Sequence, residues 1–108
     1  MVNLTIHRDP HGQIVAFNLT GHADSGPYGS DLVCAAVSAV AFGSVNAVES
    51  LANLRLDVRQ KDSGYLECAI PDHAAGSDLE KAQLILEAML ISMRTIEQSY
   101  GQYIRISD

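Results

Sequence analysis
Cys34 and His22 are the residues of this chain whose types and spacing carry chemistry. The histidine lies twelve residues before the cysteine, in a stretch, Gly21 to Ser30, that contains Gly21, Gly26, Pro27 and Gly29. The pattern predicts Cys34 in the first turn of a helix capped by Asp31 or Ser30. Backbone N–H groups are unpaired there and the helix dipole is positive, so a thiolate is favoured over a thiol. The same donors would hold the oxyanion formed when that sulfur attacks a carbonyl. His22 ends the second expected strand, and a loop that folds back would bring its imidazole to the sulfur. A Cys–His pair of this kind performs nucleophilic catalysis on acyl groups. Ten residues with three glycines exceed what a connection needs, and such loops tend to be functional.

Blander readings stand beside this one. A cysteine near a helix start is often a small packed hydrophobe. A histidine after a strand is often a polar loop residue. Asp31 stabilises the helix as a cap, yet a carboxylate beside Cys34 raises the thiol pKa unless it turns to His22 and orients the imidazole. Ser38 lies one turn after Cys34 on the same face, where it either donates to sulfur or substrate or bonds a carbonyl of its own helix. Cys68 falls on the apolar side of an expected strand and reads as core. A thiol redox protein, with Cys34 oxidised and Cys68 resolving it, is the rival built on the same atoms. His7 and His11 sit around a turn containing Pro10 and Gly12 and no C-x-x-C pair exists, so neither a metal nor a cofactor is expected. His73 follows Pro71 in a linker and should face solvent.

The elements that must position these residues follow from periodicity. Val2, Leu4 and Ile6 alternate with Asn3, Thr5 and His7, which predicts a strand over 2–7. Arg8 to Gly12 turns the chain into a strand over 14–20, with Val15, Phe17 and Leu19 on one face. Leu32 to Ala52 has no proline and is apolar nearly all round, so it should be a central helix or one covered further by a partner chain. Leu54, Leu56 and Val58 alternate with charges over 54–59 as in a half-buried strand. Lys61-Asp62-Ser63-Gly64 turns into a strand over 65–70. Ser77-Asp78-Leu79-Glu80 reads as a capping box for a second helix. Its core stripe is Leu79, Ala82, Leu86, Met89, Met93 and Ile96, widened by Leu84, Ile85, Leu90 and Ile91. Gly101 ends it and 102–107 forms a last strand. The fold class is therefore α+β: one two-layer domain over residues 1–108 in the order ββαββαβ, with two helices on a mostly antiparallel mixed sheet.

Composition narrows the function classes. A chain of 108 residues suits one domain and should bury roughly 65% of its unfolded surface. Hydrophobic residues are 47% and charged residues 19%, a globular balance. The net charge of −6, without a Lys/Arg cluster, argues against direct nucleic-acid binding and suits a basic partner. The start lacks a signal peptide, and the uncharged run from Leu32 to Val48 is short and interrupted for a membrane span. Two cysteines make no secreted disulfide framework, so a cytoplasmic protein is expected.

The stretch G-H-A-x2-G-x2-G-x-D-x-V-C-A-A-V-S, from Gly21 to Ser38 and extended by Phe42 to Ala47, resembles the signature of the ribosomal-processing cysteine protease family (Prp). Length and element order fit along the whole chain, and no motif position departs. The resemblance implies a cysteine endopeptidase of the bacterial cytoplasm. It would remove a short N-terminal extension from a large-subunit ribosomal protein and so support ribosome assembly. By motif position, Cys34 is the nucleophile, His22 the general base, and Asp31 and Ser38 support them. The resemblance also implies a homodimer, with a loop over Gly21, Gly26 and Gly29 that orders over substrate. Tyr28 and Phe42 are the aromatic candidates for the peptide groove. The alternative to an enzyme is a dimeric adaptor that binds a ribosomal protein through its apolar helical surface.

Overall fold
The structure is a computed structural model that describes residues 1–23, 26, 31–61 and 64–108. Its elements are β1 (Val2–Arg8), β2 (Ile14–Thr20), α1 (Leu32–Ala52), β3 (Asp57–Lys61), β4 (Tyr65–Ala69), α2 (Gly76–Tyr100) and β5 (Ile104–Ser107). The five strands form one sheet in the order β3-β4-β2-β1-β5. Every pairing is antiparallel except β1 with β5, which is parallel. The α+β class and the ββαββαβ order are as the sequence predicts.

Period-2 alternation works across the sheet as well as along it. Registry aligns Ile106, Leu4, Leu19 and Leu66 in one row and Ile6, Phe17 and Cys68 in the next. These rows face the helices, and Leu4, Phe17, Leu66 and Cys68 are buried together with Val33, Val37, Leu86, Met89 and Met93. Thr5, Asn18 and Glu67 occupy a row of the other face.

Three expectations need correction, and of the two forms expected of α1 the fully central one is not found. Val15 is 38% exposed while Ile14 is fully buried, because registry slips where His7 faces Ala16 and Arg8 faces Ile14. Val15 is the extra residue of this bulge, which swaps the faces beyond it. The Ile14 amide and carbonyl bond instead to Gln83 of α2, as donor to Oε1 at 2.8 Å and acceptor from Nε2 at 2.7 Å.

The third strand spans Asp57–Lys61 rather than 54–59. Its partner β4 ends at Ala69, since the Ile70 N–H donates to the Val15 carbonyl and Pro71 has no N–H. Leu54 and Leu56 are buried, but in the connection before the strand. β3 is exposed along its length, and Asp57, Arg59 and Lys61 protect this sheet edge.

The capping box is not used. Gly76, at φ +61, starts α2 early, with Ala75 as N-cap and no side-chain cap bond, so Ser77 lies inside the first turn. Lastly, α1 is not covered all round. Val33, Val37, Ala41, Val48 and Ala52 enter the core, whereas Leu32 is 71% and Leu51 66% exposed. Its 21 residues are long and apolar enough to cross a membrane by composition alone, yet its inward face shares one core with the sheet.

Two ties hold the layers at the end of the sheet remote from Cys34. Gln83 is one. Arg8 is the other: it donates to Glu87 of α2, to both carboxylate oxygens of Asp108, at 2.7 and 3.0 Å, and to the Gly12 carbonyl. Replacing Gln83 by Ala leaves two backbone groups of Ile14 without their partners in a half-buried position, which costs about 1–3 kcal/mol. Urea unfolding should show a lower midpoint with an unchanged slope. An unchanged midpoint would mean that the clamp contributes nothing.

Candidate active site
Cys34 is set by the start of α1. Asp31 is extended, at φ −78 and ψ 103, and its Oδ1 accepts the Cys34 N–H at 3.0 Å. The next amide, of Ala35, donates to the Asp31 carbonyl at 3.1 Å. Asp31 is therefore the N-cap, as its type predicts. This revises one expectation for the oxyanion, because the Cys34 and Ala35 amides of the first turn already have acceptors.

The donor aimed at the sulfur comes from the other side of the site. The Ala23 N–H donates to Cys34 Sγ at 3.2 Å. Ala23 follows His22 directly and is itself buried at 3% exposure. The end of β2 is thus brought against the first turn of α1. Gly21 makes the required bend at φ +85, and a Cβ there would meet the Met1 carbonyl oxygen at 2.2 Å. The Gly21 N–H donates to the Gly64 carbonyl at 2.8 Å, which ties this bend to the β3–β4 turn.

A cleft of about 290 Å³ opens at this junction. Its polar lining includes Cys34, His22, Ser38, Gln60 and Tyr65, and its apolar lining includes Val2, Leu19, Val37, Phe42 and Leu66. Cys34, His22 and Ser38, separated in sequence, share one cavity, and Phe42 joins them as a groove residue. Cys34 is half-buried, while His22 and Ser38 are exposed. It is Ser44 that bonds back to its own helix, donating to the Val40 carbonyl at 2.6 Å. Gly21 and Gly26 of the expected loop are exposed, whereas Gly29 and Tyr28 lie outside the described residues.

Sequence reasoning missed the contribution of the β3–β4 hairpin. Gly64 carried only a turn signal, and Tyr65 and Gln60 carried none. The Tyr65 hydroxyl donates to Glu67 Oε2 at 2.5 Å, and this bond pushes the phenol pKa above its ordinary value. The Lys61 ammonium lies 5.7 Å from the Tyr65 ring centroid, which places a cation beside this wall.

Both cysteines are thiols, in opposite environments. Cys68 is 1% exposed, and burial pushes its thiol pKa up to about 11. A buried thiol with so little thiolate is poorly suited to resolve an oxidised partner. This weighs against the redox reading. Among the described residues no group of His, Cys, Asp and Glu could hold a metal ion.

A half-buried thiol at a helix start, lining a cleft with an imidazole in its wall, is the arrangement of a cysteine-dependent acyl-transfer enzyme. The family described as Cysteine protease Prp matches residues 1–105. The chain belongs to this family. It is 41% identical to the Ribosomal processing cysteine protease Prp of Bacillus subtilis (strain 168), over 99% of this chain and 96% of that protein. Its fold matches the Prp protease of Staphylococcus aureus holding a covalently linked product peptide, with a TM-score of 0.90 and 40% identity over 99% and 98% of the two chains. The same protease with a substrate peptide gives a TM-score of 0.84 and 39% identity, with the same coverage.

The contrast between the thiols is measurable. Burial holds Cys68 as the thiol at pH 8 and leaves it only 1% exposed. Iodoacetamide should add one label to the folded protein, on Cys34, and two after unfolding in urea. Equal labelling of Cys68 in the folded protein would contradict its placement in the core.

Proposed function
We propose that this chain is an endopeptidase that removes a short N-terminal extension from a large-subunit ribosomal protein, with Cys34 as nucleophile and His22 as general base. The observation that carries the proposal is the Ala23 N–H donating to Cys34 Sγ, which draws the residue next to His22 onto the sulfur at the mouth of one cleft. The S. aureus relatives holding a substrate peptide and a covalently linked product peptide support a peptide substrate and a covalent route.

The reaction then proceeds in two halves. The Cys34 proton passes to His22 and the sulfur attacks the scissile carbonyl. Negative charge develops on the carbonyl oxygen next to the sulfur, where the Ala23 N–H that donates to Sγ is one candidate donor. When the tetrahedral intermediate collapses, the C–N bond breaks and the imidazolium gives its proton to the leaving amine. Water then attacks the thioester with His22 accepting a proton, which releases the extension as a carboxylic acid and restores the thiol. Asp31 acts through the helix by holding the Cys34 amide. Ser38 stands one turn further along the same wall, within reach of the bound peptide.

The cytoplasmic site of action and the homodimer belong to the same reading. The uncovered apolar residues Leu32, Leu51, Leu84 and Ile91 offer surface for a second copy. The test is mass spectrometry of an extended precursor incubated with wild-type, Cys34→Ser and His22→Ala protein. A single N-terminal cut by wild type, reduced at least ~100-fold in either variant, is expected. An intact precursor with folded wild type, or undiminished cutting by Cys34→Ser, would overturn the proposal. Sedimentation of the same samples should give twice the chain mass, and a monomer would remove the dimer.

A further inference from the structure
We propose that Gly64 is a positioning residue for His22: the side chain missing at 64 is the space that the imidazole occupies. The inference rests on the reading of His22 as general base and extends it to the β3–β4 turn. A Cβ built on Gly64 would lie 2.7 Å from His22 Nε2 and 3.2 Å from both Cδ2 and Cε1. The outer edge of the ring therefore occupies the space that a side chain at 64 would need. Contacts under 3.0 Å are essentially never made by real Cβ atoms, whereas 3.4–4 Å is ordinary contact. Any side chain at 64 would have to push the ring away by about 1 Å. The backbone makes the same connection, since the Gly21 N–H donates to the Gly64 carbonyl at 2.8 Å, immediately before His22. His22 is exposed, so a wall behind it restricts its rotamers where packing does not.

The expected consequence is a loss in the chemical step. A catalytic group misplaced by 1 Å costs about 100-fold in favourable cases. Gly64→Ala should therefore lower kcat about 10–100-fold with KM changed less than about twofold. It should also weaken alkylation of Cys34 at pH 6, because the imidazole that takes up the thiol proton is displaced. Gly64 has φ +92, so an added Cβ also strains the backbone, and a control must separate the two effects. Gly12 provides it, with φ +84 and nothing within 4 Å of its built Cβ. Gly12→Ala should leave kcat and the alkylation profile within about twofold of wild type.

The deciding experiment is a cycle of wild type, Gly64→Ala, His22→Ala and the double variant, read by alkylation of Cys34 at pH 6 and by precursor cleavage. With no imidazole to displace, Gly64→Ala should have no further effect on alkylation in the His22→Ala background. An equal loss in that background, or a Gly64→Ala enzyme that matches Gly12→Ala, would overturn the positioning role while leaving the dyad standing. Full activity of His22→Ala would instead overturn the dyad, and this inference with it. Should Gly64→Ala not fold by circular dichroism, Gly64→Asn carries the same test, because asparagine tolerates positive φ but adds the same Cβ. In the variant that folds, the His22 ring protons should shift in the NMR spectrum. Unmoved ring signals would count against the contact.

Discussion

The bond from the Ala23 N–H to the Cys34 sulfur joins the two halves of the site, and the surrounding structure is arranged so that it can form. One partner hangs from the end of β2 and the other from the first turn of α1, with the glycine-rich segment between them. Bringing these ends together costs loop-closure entropy, which rises only slowly with loop length. The constraint is therefore the accuracy of the two anchors more than the length of the loop. Asp31 holds the helix end by capping the Cys34 amide. Gly21 holds the strand end, through a bend that no Cβ would allow so close to the Met1 carbonyl.

Each anchor is only as firm as the core beneath it. β2 lies third in the five-stranded order, paired on both sides, and Phe17 and Leu19 fix its register by reaching into the core. A slip of one residue would turn both side chains to the open face. α1 is seated through Val33, Val37, Ala41 and Val48, and Val33 is the residue immediately before Cys34. Burying a valine side chain is worth about 1.5–3 kcal/mol, so placing one beside Cys34 fixes the helix phase at the point where chemistry requires it. The exposed side of the same turn faces the cleft. Packing and function thus divide one helical turn between them.

Elements whose signal is local could be read from the chain alone. The extent of α1, the Asp31 cap and the core position of Cys68 depend on periodicity, on a short side chain before a helix and on strand alternation. That His22 and Cys34 line one cleft was legible because both carry unusual chemistry at either end of a glycine-rich loop. Features that depend on a distant partner were not. Val15 breaks its alternation because of a bulge whose Ile14 is bonded to Gln83, sixty-nine residues further along. Leu54 and Leu56 alternate like a strand but find no ladder, since Ile70 is bonded elsewhere and Pro71 cannot donate. Ser77 has the identity of a cap, but Gly76 starts the helix before it. Gly64 follows the same rule: its turn is evident in the chain, and the imidazole near it is visible only in three dimensions.

The central claim is that Cys34 forms a covalent acyl bond with the extension being removed. Rapid acid quenching of enzyme mixed with the extended precursor, followed by peptide mapping in a mass spectrometer, observes that bond directly. The account predicts a transient adduct on Cys34 with the mass of the extension less one water, absent from Cys34→Ser. Cleavage proceeding with no adduct on Cys34, or with the acyl group on Ser38, would contradict it.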